Sequence, residues 1–289
     1  MAVGADKTEN LATAAEAVRS AAAAGADMVV LPECFNSPYG TGFFPDYAEI
    51  LAPGAPGGTY DALAAMAADS RVTLFAGSVP ESAAVHPDAD DDAVAGTDAG
   101  DARLLYNTAL VFGADGSELA RHRKVHLFDI DVPGKIRFIE SETLSPGDTV
   151  TVVETPQCKV GLAICYDVRF PEMAAIAADA GAELLVYPGA FNLVTGPLHW
   201  ELLLRSRAVD NQLFVAGVSP ARDESADYVA WGHSTLVDPW GKVLGALEAA
   251  PGTIVLDIDL AAVDDVRASI PIRTQRRPEV YAAGRAAIA

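Results

Sequence analysis

Lysine is scarce in this chain of 289 residues. Only five are present (Lys7, Lys124, Lys135, Lys159, Lys242), so fifteen of the 20 basic residues are arginine, and they face 40 acidic residues for a net charge of −20. A surface of that sign repels nucleic acid and anionic lipid, which argues against both as partners. Cysteine is rarer still: Cys34, Cys158 and Cys165 make an odd count with no CxxC spacing. That pattern suggests neither a disulfide framework nor a zinc knuckle, and it fits a reducing, cytoplasmic setting. No apolar run reaches the roughly 18 residues a membrane span needs. The opening MAVGADKTENLATAAEAV lacks the basic-then-apolar layout of a secretion signal. No metal set is legible either. The HxxxH pair of His122 and His126 has no third ligand nearby, and the aspartate run in 81–103 lacks the spacing and closing glutamate of a calcium loop.

What is abundant is apolar: 51% of the chain is hydrophobic, ample for a packed core. The acidic excess predicts adaptation to a salt-rich cytoplasm. Self-repulsion of that size is screened only at high ionic strength, where the Debye length falls to about 3 Å at 1 M. Helices are expected at 9–24, 59–70, 171–180 and 197–210, and strands at 27–33, 71–79, 104–116, 149–154, 158–164, 183–188 and 213–219. A hairpin at 229–247 turns at 238–241, and 253–260 reads as a last strand. The two halves repeat the same alternation, which predicts one α/β domain over 1–289 with an internal pseudo-repeat. The aspartate-rich stretch 81–103 reads as a solvated insertion between two strands.

Chemistry concentrates at CKVGLAICYDVRFPE (158–172), where an apolar strand stops at Cys165 before a turn and a helix. Such an elbow presents a thiol, and the following helix N-terminus is expected to favour the thiolate. A buried structural cysteine is the plain alternative. Glu33 ends the apolar run VVLPECF, where desolvation raises a carboxyl and suits it to general-base work; a salt-bridged glutamate is the alternative. Lys124, in RHRKVHLFD, is a cation in an apolar segment and is able to balance an oxyanion, or else one member of a surface cluster. Base, cation and thiol together perform acyl transfer without metal or cofactor. At 91 and 41 residues apart, spacing alone does not bring them together.

LPECFNSPYG (31–40), HRKVHLFDIDVPGKIRFIESETLSPGD (122–148), GLAICYDVRFPE (161–172), YPGAFNLVTGPLHWELLLRSRAVDN (187–211) and WGHSTLVDPWG (231–241) resemble the nitrilase superfamily, closest to its omega-amidase and deaminated-glutathione amidase branch. The resemblance implies a four-layer α-β-β-α sandwich and a Glu-Lys-Cys triad at Glu33, Lys124 and Cys165. It adds a second glutamate, placed at Glu140 with Glu142 as the competing choice, and pairing of subunits through the helix after the nucleophile. It also implies an apolar strand ahead of the first helix, which this sequence does not show before residue 9. Arg169, four residues after the thiol, is the expected anchor for a substrate carboxylate, with Tyr39, Tyr166 and Phe191 as pocket wall; pairing of Arg169 with Glu172 or another acid to hold the elbow is the alternative. The expected reaction is hydrolysis of the terminal amide of a small carboxylate-bearing substrate, releasing ammonia. A nitrile hydrolase or N-carbamoyl amidase on the same triad, or a non-catalytic partner-binding protein keeping the fold, are the rival expectations.

Overall fold

The computed structural model describes residues 1–84, 103–134 and 136–288. Helix α1 (Lys7–Ala23) starts at Asp6, whose carboxylate accepts from the Thr8 and Glu9 N–H groups. It is followed by β1 (Met28–Val30), the short α2 (Phe44–Tyr47), α3 (Thr59–Ser70), β2 (Thr73–Phe75), β3 (Val79–Ala84), β4 (Arg103–Phe112) and β5 (Glu118–Arg123). β1 runs parallel to β2, and β4 runs antiparallel to β2, β3 and β5, making the first sheet. A two-stranded ribbon, β6 (Asp129–Val132) with β7 (Ile136–Ile139), follows.

The second sheet has the order β13-β12-β11-β10-β9-β8, from β8 (Thr151–Glu154), β9 (Lys159–Leu162), β10 (Leu184–Pro188), β11 (Phe214–Val218), β12 (Thr235–Val237) and β13 (Val243–Ala246). Its three central strands are parallel and are joined by α4 (Pro171–Asp179) and α5 (Gly196–Asn211). Parallel neighbours need crossover helices, so the strand–helix alternation of the sequence becomes this sheet directly. Helices α6 (Ala261–Ser269), α7 (Ile272–Gln275) and α8 (Pro278–Ile288) close the described chain.

Phe75, Ala109 and Val111 of the first sheet share one core with Val153, Val160 and Leu162 of the second, so the sheets face each other. Ala14, Val18 and Ala21 of α1 and Leu63 and Ala67 of α3 bury against Leu74, Leu110 and Phe112. Ala174 and Ala177 of α4 and Trp200 and Leu204 of α5 belong to the core of the second sheet. The result is a four-layer α-β-β-α sandwich.

Three expectations are corrected. The stretch 71–79 is not one strand: Gly77, at φ +60, breaks it, and a Cβ there would sit 2.0 Å from the Pro32 carbonyl oxygen. That close approach seats the β2–β3 turn against the segment leading to Glu33. The expected insertion begins later than 81, because 79–84 form β3 on β4; the remainder, 85–102, lies outside the described residues. Finally, 253–260 forms no strand, since it shares no ladder of hydrogen bonds with any strand among the described residues. Between that segment, the unpaired edge of β1 and the second sheet lies an apolar cavity of about 390 Å³, lined by Met28, Val30, Val218, Leu236, Ile254 and Leu256 among others. No strand precedes α1 among the described residues, and Met1 lines the same cavity.

Candidate active site

Four ionisable residues are buried where strands end. Glu33 lies three residues past β1, Lys124 directly follows β5, Glu140 directly follows β7, and Cys165 lies three residues past β9. Each inherits its position from a backbone fixed by sheet hydrogen bonds, which is how residues far apart in sequence meet with little freedom. Glu33, Lys124 and Glu140 are at most 1% exposed.

Lys124 Nζ donates to both Glu140 oxygens at 2.9 and 2.8 Å and to Glu33 Oε1 at a longer 3.4 Å. Glu33 Oε1 also accepts from Asn107 Nδ2 at 2.8 Å, and Glu33 Oε2 accepts from the Ala190 N–H at 2.7 Å. Glu140 is held by the Tyr39 hydroxyl and the Phe128 N–H, each at 2.7 Å. Of the two candidate glutamates, only Glu140 reaches the lysine; Glu142 pairs with Arg137 on the surface. The Cys165 thiol faces the Glu33 carboxyl, where it hydrogen-bonds, and receives the Ala190 N–H. Cys165 itself is in the left-handed region, at φ 49, the conformation of a strand-to-turn elbow that a side chain adopts only under constraint.

Burial pushes the Glu33 carboxyl above its usual range; Lys124 pulls it down and Glu140 adds to the rise. For Lys124, burial opposes the charged form, but Glu140 and Glu33 outweigh it and hold the ammonium well above its ordinary value. The thiol overturns the expectation of a thiolate favoured by a helix N-terminus. Burial and the Glu33 charge push Cys165 well up, although Lys124 and the Ala190 N–H act in the opposite sense. The same burial therefore raises both the thiol and the carboxyl beside it.

A small cleft opens onto Cys165 and is lined by Phe128, Tyr166, Arg169, Ala190, Phe191, Thr195 and Tyr228. Arg169 stacks over the Phe191 ring at 4.8 Å, and its Nη1 meets His199 Nδ1 at 3.2 Å. Arg169 thus brings a guanidinium to the cleft that holds Cys165. Tyr39 does not line this cleft; it stands behind it, bonded to Glu140 and stacked on Phe138. Sequence reasoning missed Asn107, Arg207 and Tyr228. Asn107 carried a signal, as the lone amide inside the apolar run LLYNTALVF. Arg207, 5% exposed, holds the elbow by donating to the Val168 and Arg169 carbonyls at 2.9 and 3.3 Å. No group of three metal-ligating side chains able to hold an ion is found among the described residues.

Residues 2–268 match the model of the carbon-nitrogen hydrolase family. The chain belongs to that family. As a carbon-nitrogen hydrolase it is 55% identical over 275 residues to omega-amidase NIT2 of Mus musculus, covering 95% of this chain and 92% of that protein. Its fold superimposes on Nit3 of Saccharomyces cerevisiae, a member of branch 10 of the nitrilase superfamily, with a TM-score of 0.82 at 41% identity over 96% of this chain and 93% of that one. A mutant of the amidase from Nesterenkonia sp. AN1 (TM-score 0.70, 26% identity, 98% and 93% covered) carries the acetamide moiety of fluoroacetamide covalently at its active site cysteine. This carbon-nitrogen hydrolase acts on amides.

Proposed function

We propose that the enzyme hydrolyses the terminal amide of a small carboxylate-bearing substrate, 2-oxoglutaramate-like or deaminated glutathione-like, through a thioester on Cys165. The observation that carries this reading is a buried base, cation and thiol meeting at one cleft, with the Arg169 guanidinium on its wall. Omega-amidase relatives at over half identity support the same substrate class. A forked guanidinium matches a carboxylate in two hydrogen bonds, and in a chain of net charge −20 an anionic substrate needs such a local cation.

The course follows from the contacts. Glu33 takes the thiol proton as sulfur bonds to the amide carbon, and the carbonyl electrons move to oxygen. That oxyanion is met by Lys124 and the Tyr166 N–H. The long 3.4 Å Lys124–Glu33 contact is the one a developing charge most readily displaces. Glu33 returns the proton to nitrogen, the C–N bond breaks, ammonia leaves, and a thioester remains. Water gives a proton to Glu33 and attacks; the C–S bond breaks and the proton returns to sulfur. No step draws on a cofactor, and the cleft walls of Tyr166 and Phe191 pack on the substrate chain.

An ammonia assay over keto-acid monoamides, glutamine, a nitrile and an N-carbamoyl acid tests the reading. The monoamides should turn over fastest, Cys165→Ala should abolish release with the fold intact, and Arg169→Lys should raise KM for the charged amides more than for an uncharged one. Preference for the nitrile or carbamoyl substrate would overturn the substrate assignment.

The same reading makes the enzyme a cytoplasmic homodimer adapted to salt. On the outer face, Ile176 of α4 and Leu198, Leu202 and Val209 of α5 are 49–64% exposed, an apolar patch of the kind that subunits cover. Light scattering and thermal melting between molar and millimolar salt check both points. A monomer throughout, or an unchanged Tm, would remove them.

A further inference from the structure

Asp167 lies two residues past the nucleophile, is fully buried, and takes no part in the chemistry above. Its carboxylate divides between two segments. Oδ2 accepts the Ile164 N–H at 2.9 Å, on the residue just before Cys165, and the Asp167 N–H returns a bond to the Ile164 carbonyl at 3.0 Å. These two bonds bracket the left-handed Cys165. Oδ1 accepts from His126 twice, from its backbone N–H at 2.9 Å and from its Nδ1 at 2.8 Å. His126 is two residues past Lys124. His122, two residues before Lys124, brings Nε2 to 3.6 Å of Oδ2 and is fixed from its other side by Thr151 Oγ1 at 2.9 Å. The histidines that looked like a metal pair in sequence therefore flank the lysine and converge on one carboxylate.

We propose that Asp167 is a positioning residue that sets the Lys124 segment in register with the Cys165 elbow, with His126 as its obligatory donor and His122 as its buried neighbour. Each oxygen serves one segment, so aspartate is the smallest side chain that holds both. Asparagine keeps a single acceptor; its NH₂ would face a backbone N–H and release either Ile164 or His126. Because a carboxylate only accepts, His126 Nδ1 carries the proton. His126 also stacks flat on Phe170 at 3.5 Å, which holds its ring in the plane that aims Nδ1 at Asp167. The inference rests on Cys165 being the nucleophile, and two readouts keep it separable from the substrate assignment.

The experiment measures the rate of iodoacetamide alkylation at Cys165, with Cys165→Ala as the blank, beside ammonia release and melting. Asp167→Asn should slow alkylation and lower kcat, by up to about 10²-fold for a displacement near 1 Å, with KM little changed. His126→Asn, which places a donor where Nδ1 was, should stay close to wild type. His126→Phe keeps the stack on Phe170 without the donor and should behave like Asp167→Asn, at a Tm matching that of His126→Asn. If Asp167→Asn does not fold, the two His126 variants decide alone. Wild-type alkylation in His126→Phe, or equal losses in both His126 variants that track Tm, would overturn the proposal. Failure of every amide in the panel would sink the proposed substrate class and leave the alkylation comparison standing.

Discussion

Two cavities of this enzyme are opposites. The larger, about 390 Å³ beside β1, is lined mainly by aliphatic side chains and no member of the charged cluster. The smaller, at Cys165, has about 10 Å³ of water-accessible room, roughly one water, yet four ionisable groups are buried around it. Volume is a poor guide to chemistry here. What marks the site is charge held out of water at a net energetic loss, which a packed core retains only where the positions are imposed by strand ends.

The largest break in that contrast is expected from Lys124→Met. It strips the only cation from between two buried carboxylates, and removing one partner of such a set typically costs about 3–5 kcal/mol. Chemical denaturation should show a loss of that order; a loss below about 1 kcal/mol would mean that the buried cluster does not depend on the lysine's charge. A pH profile sharpens the same point. The proposed role of Glu33 is that of the ionised base, and burial raises its pKa above the ordinary 4.5, so the acid limb of kcat/KM should lie above pH 4.5. The stability linked to Glu33 has the matching sign, present below pH 4.5 and lost as pH rises through the folded value. The smallest effect belongs to the apolar cavity. A short alternating apolar strand joined ahead of Met1 should fill it, pair with β1 and raise Tm while kcat stays put, because the slot touches none of the charged residues. An unchanged Tm would show that the slot is already closed in solution.

The charged half of the comparison was largely legible before the fold was known. Glu33 and Cys165 stand at the ends of apolar runs, where a reactive group is visible in one dimension; Lys124 stands in the basic patch RHRKVHLFD, and only the resemblance joins it to the other two. Glu140 needed the resemblance, and the choice against Glu142 needed coordinates, since both sit in ESE and only one turns inward. The apolar half was read less well. TIVLDIDL has every local mark of a strand, yet a strand is a relation between two segments, and no periodicity in one reports the absence of the other. Asp167 and Arg207 escaped for a related reason. Their bonds to the elbow go to backbone atoms, Ile164 N and the Val168 and Arg169 carbonyls, which leave no trace in residue type.

The catalytic groups hang from strand ends, whereas much of the cleft wall, including Ala190, Phe191, Thr195 and Tyr228, comes from connecting loops or the start of a helix. Inheritance can therefore act on the two independently. Substitutions at Phe191 and Thr195 are expected to change which acyl chains fit the cleft more than they change the buried charges behind it, whereas Tyr228 is tied to those charges through its bond to the Ala190 carbonyl.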